Sequence, residues 1–325
     1  MKKKKVTLLI GCGLMFALLI GELVSRFVLG LGDPPLSVTH PSIEYMFKPS
    51  SEFHRFGNHF RTNDYGMRSD DFSQKREKSE VRLLVLGDSV PNGGNLTDQS
   101  QLATELIKES IRDDIPVPVY VGNISAGTWS PPNLLAYVKE FGTFDADVAI
   151  VILNKGDMFD FPTFGKLNPN THPTRKPLSA LGELFSRYVA PRVVGLLPSS
   201  SSKKEQDEAT ETKRASCTAE LSELMAVFSN KSIPVYLVYH PSEDEILPDG
   251  SFQAKGGYPR LKEFVEEKDV NLYSLAGSYG ESIQAGEYPF RDHYHPNAIG
   301  QKLMAEYILN LLGNEGLTSR WSQRR

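Results

Sequence analysis

Two short motifs, separated by about two hundred residues, contain a serine, a histidine and a carboxylate. The first is Gly-Asp-Ser at 87–89, directly after the apolar run 81–86, and the second is Asp-His-Tyr-His-Pro-Asn at 292–297. A serine hydroxyl becomes an effective nucleophile when an imidazole accepts its proton, and that imidazole needs a carboxylate to fix its tautomer. The apolar run is typical of a buried strand, and ligands of open α/β sheets bind at the carboxyl ends of strands. The pattern therefore predicts Ser89 to be a nucleophile on the turn after a strand.

The second motif can supply the base and its carboxylate. Asp292 and His295 are three residues apart, so on one turn or at the start of a helix their side chains lie on the same side. Pro296 suits the first position of a helix. His240 follows another apolar run and could face the same site, although a loop position before a proline is the simpler interpretation, and His293 lacks the spacing to a carboxylate on that turn.

These blocks resemble the SGNH (GDSL-type) hydrolases, a family of esterases and acetylhydrolases. The first block matches as Gly-Asp-Ser-Val at 87–90 and the last as Asp292-x-x-His295-Pro-Asn-x-x-Gly at 292–300, and the resemblance spans about residues 81 to 313 in the right order. It implies that Ser89 is the nucleophile, His295 the general base and Asp292 its orienting partner. We predict no metal site and no cofactor.

The resemblance also implies an oxyanion hole, whose donors each contribute about 3–4 kcal/mol to stabilising the tetrahedral intermediate. The backbone N–H groups of Ser89 and Gly127 are two candidates, Gly127 lying in the block Asn-Ile-Ser-Ala-Gly-Thr at 123–128. The third block reads Asn154-Lys-Gly156-Asp where the family has Gly-x-Asn-Asp. We favour Asn154 as the third donor, while the other register places Gly156 at that position and supplies no amide.

The fold class that we expect is α/β: a three-layer α/β/α sandwich with a parallel, doubly wound, flavodoxin-like sheet. Strands and helices alternate along the chain. Strands are expected near 81–86, 117–122, 147–153, 233–239 and 270–274, and helices near 98–113, 131–144, 216–230, 258–267 and 296–312.

The amino-terminal segment 1–31 is expected to be a transmembrane anchor. Four lysines precede an apolar stretch that begins at Val6 and is interrupted only by Glu22, Ser25 and Arg26. About 20 residues cross a bilayer, and the lysines predict a cytoplasmic amino terminus. This places the rest of the chain outside the cytoplasm, as a single-pass protein of a bacterial inner membrane. Lipidation of Cys12, which follows a lipobox-like Leu-Ile-Gly, and a cleaved signal peptide are the alternatives.

Four further parts of the chain complete the predicted organisation. Residues 32–80 form a polar lead-in whose most ordered piece is Arg-Thr-Asn-Asp-Tyr-Gly-Met-Arg at 61–68, and residues 81–313 form the hydrolase domain. An insertion at 158–215 interrupts the domain, with an amphipathic helix near 181–194 and a partly disordered piece at 199–215. It is expected either to cover the pocket as a lid or to be a surface excursion. Residues 314–325 are a basic tail.

Composition narrows the class of function. The net charge is −4, and no basic cluster occurs between the amino-terminal lysines and the short basic tail, so nucleic acid is not an expected partner. Two cysteines in 325 residues exclude a disulfide framework. The expected function is an esterase acting on small acyl esters, acetyl above all, of a polysaccharide on which Trp129 and Tyr294 could stack. An O-acetyltransferase or a non-catalytic binding or assembly protein with the same fold are the alternatives.

Overall fold

The computed structural model describes the backbone of residues 2–77, 79–195 and 207–324, and the side chains of 4–77, 79–193 and 217–324. The part of the predicted disordered piece at 199–206 lies outside the described residues. Helix α1, Lys2–Phe27, carries a segment, Lys4–Phe27, that is long and apolar enough to cross a membrane, and the side chains from Lys4 to Ile20 are exposed.

Two antiparallel hairpins follow α1 in the lead-in, where the sequence indicated only one ordered motif. Strand β1 (Ser37–His40) pairs with β2 (Glu44–Phe47), and β3 (Ser51–Arg55) pairs with β4 (Asn58–Thr62). In β3, exposed Glu52 and His54 alternate with the partly buried Ser51 and Phe53, and the strand ends at buried Arg55. The hairpins pack onto the α/β domain through Ile43, Tyr45 and Met46, which are buried in its core.

The predicted parallel sheet is present, with five strands in the order β6-β5-β7-β8-β9. All four pairings are parallel. Along the chain, β5 is the first strand of this sheet. Strand β6 pairs on one side of it, and β7, β8 and β9 follow on the other side, which is the doubly wound order 2-1-3-4-5. The strands are β5 Val81–Gly87, β6 Val119–Ser125, β7 Val148–Leu153, β8 Val235–Tyr239 and β9 Leu272–Ser274.

The central strands are hydrophobic at nearly every position because helices cover both faces of the sheet. Every residue of β5 and of β7 is buried. The helices of the domain are α2 Ser89–Asn92, α3 Ala103–Asp114, α4 Pro131–Phe141, α5 Ala180–Glu183 continuing through a wider turn at Leu184–Val189 into α6 Ala190–Gly195, α7 Asp207–Ser229, α8 Tyr258–Lys268, α9 Ala276–Gln284, α10 Ala298–Asn314 and α11 Leu317–Trp321. One core lies between the sheet and α4, α7 and α8, and the other between the sheet and α3, α9, α10 and α11.

Helix positions agree with the expected ones to within a few residues, apart from three differences. Helix α7 begins at Asp207, inside the piece expected to be disordered. Helix α9 was not anticipated, since its Gly- and Ser-containing sequence is a weak helix former. The expected basic tail is packed against the domain: Trp321 is buried, and Arg324 pairs with Asp147 at 2.5 Å.

The motif at 61–68 forms a turn that is fixed by side-chain hydrogen bonds. The Asn63 side chain accepts hydrogen bonds from the backbone of Tyr65 and Met67, closing a turn at Gly66, whose φ of +72° favours glycine. A Cβ at Gly66 would also lie 2.6 Å from a backbone oxygen of Phe47. This turn directs Arg68 into the interior, where its side chain is buried.

Candidate active site

Ser89 lies on the turn after the central strand β5, as the sequence indicated. It is the first residue of α2, and the Asp88 carboxylate caps this helix by accepting a hydrogen bond from the Val90 amide at 2.8 Å. A Cβ at Gly87 would lie 2.7 Å from the Pro91 ring and 3.0 Å from the Ile152 carbonyl oxygen. The strand can therefore turn sharply into the helix here because residue 87 has no side chain.

Ser89, His295 and Asp292 come together as a hydrogen-bonded chain, although 206 residues separate the first two. The Ser89 Oγ lies 3.0 Å from His295 Nε2. On the other side of the ring, His295 Nδ1 lies 2.8 Å from Asp292 Oδ1 and 3.0 Å from Oδ2. These distances allow His295 to accept the serine proton at Nε2 while Nδ1–H donates to the carboxylate.

The turn at 292–297 holds the carboxylate in its charged form. Burial alone would raise the pKa of Asp292, but hydrogen bonds from the backbone N–H groups of His295 and Tyr294, and from the His295 ring, lower it below its usual value. Asn297 then caps α10 by accepting from the amides of Ile299 and Gly300. The acid and the imidazole are thus carried on one rigid turn at the start of a long helix.

His240 supports this turn and does not reach the serine. It is buried, and its Nε2 lies 2.9 Å from the Tyr294 carbonyl oxygen while Nδ1 lies 3.3 Å from the Tyr279 hydroxyl. Burial lowers the pKa of His240 to about 4, so the ring is neutral near pH 7. His293 is about half exposed and lies 3.4 Å from carboxylate oxygens of Glu243 and Asp244. Neither is the base in this geometry.

Gly127 lies on the loop after β6, at the wall of the same cavity as Ser89. Its carbonyl oxygen accepts a short hydrogen bond from the Tyr45 hydroxyl. Within the described part of the chain, no acceptor engages the backbone N–H of Gly127 or of Ser89. Both N–H groups are thus free of other acceptors in this part of the chain, and their role in an oxyanion hole stays a prediction.

Asn154 is engaged with two carboxylates. Its Nδ2 donates to Asp88 Oδ2 at 2.9 Å and to Asp157 Oδ1 at 3.1 Å, and its Oδ1 accepts from the Gly156 amide at 2.7 Å. Asp88 Oδ2 is in turn 3.3 Å from the serine Oγ. Asn154 is thus close to the nucleophile through Asp88, but in this state its amide hydrogens are not directed at a free position beside Ser89. Gly156 offers no side chain to replace it.

Asp88 and Asp157 form a buried acidic pair bridged by the Asn154 amide. Burial raises the pKa of Asp88, and burial together with the charge of Asp88 raises that of Asp157 well above its usual value. Two carboxylates bridged by one amide in a poorly solvated site do not both ionise readily, so their surroundings favour the uncharged form of at least one. Among the described residues, no three His, Cys, Asp or Glu side chains are arranged so that they could hold a metal ion.

A small cavity of about 150 Å³ opens beside Ser89. Two parts of the chain that are distant in sequence, the lead-in hairpins and the insertion, cover this cavity. The lead-in hairpins contribute Tyr45, Phe47 and Phe60, and the insertion contributes Thr171, His172 and Arg187. The cavity is well below the roughly 300–1,000 Å³ of sites for drug-sized ligands, so it suits a small acyl group.

Several residues of this cavity were not anticipated from the sequence. The Tyr45 and His172 rings pack with centroids 4.2 Å apart above Gly127. Burial lowers the pKa of His172. Local patterns carry no signal for these two positions, because they face the site only after the hairpins dock. Trp129, expected near a sugar, is buried and donates to the Tyr45 carbonyl, whereas Tyr294 is exposed.

Comparisons with protein-family models and with curated proteins found no match. Among solved structures, a lipolytic G-D-S-L family protein from Veillonella parvula DSM 2008 is similar at 14% identity and a TM-score of 0.39, over 72% of this chain and 98% of that one. A lipase/acylhydrolase from Enterococcus faecalis is similar at 12% identity and a TM-score of 0.41, over 72% and 96%.

A two-domain esterase active on acetylated mannans is also similar, at 13% identity and a TM-score of 0.44, over 76% of this chain and 50% of that one. The geometry around Ser89, and not these similarities, carries the proposal that follows.

Proposed function

We propose that this chain is a membrane-anchored serine esterase of the SGNH type, with its catalytic domain outside the cytoplasm. The observation that carries the proposal is the continuous hydrogen-bonded chain from Ser89 Oγ through the His295 ring to the Asp292 carboxylate, with distances of 3.0 and 2.8 Å. It supports acyl transfer through a serine nucleophile, since all three parts of that machinery are in reach of one another.

In this mechanism His295 Nε2 takes the proton of Ser89 Oγ as the oxygen attacks an ester carbonyl. A tetrahedral intermediate forms, and the backbone N–H groups of Ser89 and Gly127 donate to its oxyanion, with Asn154 joining if its amide leaves Asp157. His295 then protonates the departing alcohol, which leaves an acyl-serine. Water, deprotonated by the same ring, attacks this ester and releases the acid.

The size of the cavity supports a small acyl group, with acetyl as the first choice. Tyr294, on the same turn as Asp292 and His295, is exposed, which favours an acetylated polysaccharide that contacts this ring outside the cavity. The anchor helix, preceded by four lysines, supports a position at the outer side of a bacterial inner membrane.

Hydrolysis of p-nitrophenyl acetate by the full chain in detergent or nanodiscs tests the mechanism. Ser89→Ala and His295→Ala should each abolish turnover, whereas His293→Ala, which alters a neighbouring exposed histidine, should leave it unchanged. Turnover that survives Ser89→Ala would remove the proposed nucleophile. A folded wild-type protein without any turnover would favour the acyl transferase or the non-catalytic binding function.

A second candidate is acyl transfer to a sugar hydroxyl. The observation that favours it is the cover over the cavity, since hairpins and insertion together limit the access of water to an acyl-serine. An acceptor oligosaccharide added to the assay distinguishes the two: a transferase produces acylated sugar at the expense of free acid, and an esterase produces free acid alone.

A further inference from the structure

The insertion contacts the anchor helix directly, near its non-cytoplasmic end. Leu181 approaches Gly21 so closely that a Cβ on that glycine would lie 3.3 Å from it. The Glu22 carboxylate accepts hydrogen bonds from the Ser179 hydroxyl at 3.0 Å and from the amides of Ala180 and Leu181 at 3.0 and 2.9 Å. The anchor's own acidic side chain thus caps the first turn of α5.

The length of the anchor sets the depth of this contact. From Val6 to Gly21 a helix rises by about 22 Å, at 1.5 Å per residue. The hydrocarbon core of a bilayer is about 30 Å thick. If α1 spans the membrane from its lysines, the point where Leu181 meets Gly21 therefore lies at or inside the boundary of the outer leaflet, and the start of α5 cannot stand clear of lipid.

The side chains around this contact suit such a position. Leu178, next to the Glu22 contact, is fully exposed, and Phe185 is 63% exposed on the outer face of the helical segment 180–193. Val189 and Val193 continue the same face at intervals of four residues. The cations Arg175 and Arg192 are exposed beside this stripe, where phosphate groups of anionic lipids would lie.

The opposite face of the segment is fixed to the domain. Buried Glu183 accepts hydrogen bonds from the Gly32 amide at 2.6 Å, from Arg55 at 2.7 Å and from Arg187 at 2.8 Å. The Tyr188 hydroxyl accepts from Arg55 at 3.0 Å. Because these contacts hold the polar face inward, the helix cannot rotate to hide Phe185 and the valines in the core.

We propose that the insertion docks on the outer leaflet of the membrane that α1 spans, with Leu178 and Phe185 inserted among the acyl chains. This inference rests on the anchoring in the proposed function and extends it. Arg187, on the same helical segment, lines the cavity beside Ser89. The docked insertion therefore holds one wall of the cavity at the membrane surface, and the site faces esters that lie close to the bilayer.

Tryptophan quenching in the full chain tests this docking. Leu178→Trp and Phe185→Trp are reconstituted in nanodiscs of phosphatidylcholine and phosphatidylglycerol, with and without bromine on the acyl chains. Leu14→Trp, in the exposed apolar part of α1, is the positive control, and Glu266→Trp, at an exposed position of α8, is the negative control. The two native tryptophans are buried and give every variant the same background.

Docking predicts a loss of the introduced fluorescence at positions 14, 178 and 185 and none at position 266. Quenching at position 14 with none at 178 and 185 would overturn the inference while leaving the anchor in place. If the nanodiscs then held two copies of the chain, the apolar face formed by Phe185, Val189 and Val193 would be a self-association surface. No quenching at 14 would remove the anchor and the docking together. Esterase activity, measured in the same samples, reports on the catalytic proposal separately.

Discussion

The Asn154 amide donates a 2.9 Å hydrogen bond to the carboxylate of Asp88, the residue directly before the proposed nucleophile. The same carboxylate oxygen lies 3.3 Å from Ser89 Oγ, so an amide, a carboxylate and the nucleophile form one connected group. The block at 154–157 departs from the SGNH pattern that it resembles, yet its asparagine reaches the site from the end of β7. Whether that amide serves the oxyanion is the first point to test.

Asn154→Ala should lower kcat by about 10²–10³, with a smaller effect on KM, because an oxyanion donor acts on the transition state and not on the bound ester. The comparison is steady-state hydrolysis of p-nitrophenyl acetate by the wild type and the variant. A decrease in kcat of less than about tenfold would mean that Ser89 and Gly127 alone form the hole, since a single donor is worth more than this.

Asp292→Asn should lower kcat by about 10⁴ at neutral pH, because an amide at this position favours the wrong tautomer of His295. The pKa of Asp292 lies below its ordinary value, so its carboxylate stays charged throughout the range of the assay and its replacement should matter equally at pH 6 and pH 8. Glu243→Gln, which alters an exposed carboxylate beside His293, is the matched control and should retain wild-type kcat.

His240 should make the fold sensitive to acid. Its pKa is about 4 in the folded protein, against an unfolded value of 6.5, so protons bind the unfolded state more tightly. The stability contributed by the neutral ring is complete above pH 6.5 and is lost as the pH falls towards 4, by about 2–3 kcal/mol between pH 7 and 4.5.

The measurement is the free energy of unfolding in denaturant for the wild type and His240→Gln at both pH values. The difference between the two proteins should shrink in acid by that amount. The buried pair Asp88 and Asp157 contributes with the opposite sign, because the raised pKa values stabilise the fold as the pH falls, but it is common to both proteins and cancels. An equal pH slope in both proteins would contradict the assignment.

Arg68 should position the loop behind the nucleophile. Its guanidinium donates to the carbonyl oxygens of Asn92, Gly94 and Thr97, the last two at 2.7 and 2.6 Å, and stacks 4.2 Å above the Phe60 ring. Burial lowers its pKa to about 9, which still leaves it charged at pH 7. A lysine cannot reproduce this planar set of donors.

Arg68→Lys should therefore destabilise the protein by about 3–5 kcal/mol and reduce kcat more than KM. Arg61→Lys, from the same motif, changes a partly exposed ion pair with Asp70 and should cost less than about 1 kcal/mol. Unfolding in denaturant and steady-state kinetics on both variants provide the comparison. Similar effects of the two substitutions would show that Arg68 has no special part in holding the serine loop.

His172→Ala should widen the acyl specificity. The ring closes one side of the 150 Å³ cavity by packing on Tyr45, so its removal makes room for additional methylene groups. The ratio of kcat/KM for p-nitrophenyl butyrate to kcat/KM for the acetate should rise about tenfold. Binding of one or two additional methylene groups in a pocket raises kcat/KM by at least about this factor. Phe164→Ala, an exposed aromatic of the same insertion, should leave the ratio unchanged.

The sheet and the three candidate catalytic residues could be predicted from the sequence because their signals are local. A fully buried parallel strand needs an uninterrupted apolar run, and both β5 and β7 have one. Asp292 and His295 share a turn, so their spacing alone places them together. Ser89 follows β5, the first strand of the parallel sheet, on the tight turn that Gly87 permits.

Only the tertiary structure decided what surrounds that site. Tyr45 meets Gly127 across 82 residues, and Glu22 meets Ser179 across 157, through contacts that form when separate segments dock. The amide of Asn154 is turned towards Asp88 and Asp157 by a balance of burial and charge that no spacing along the chain encodes. Local patterns determine which elements form, but the cover of the cavity and the contact between the insertion and α1 depend on how distant elements pack.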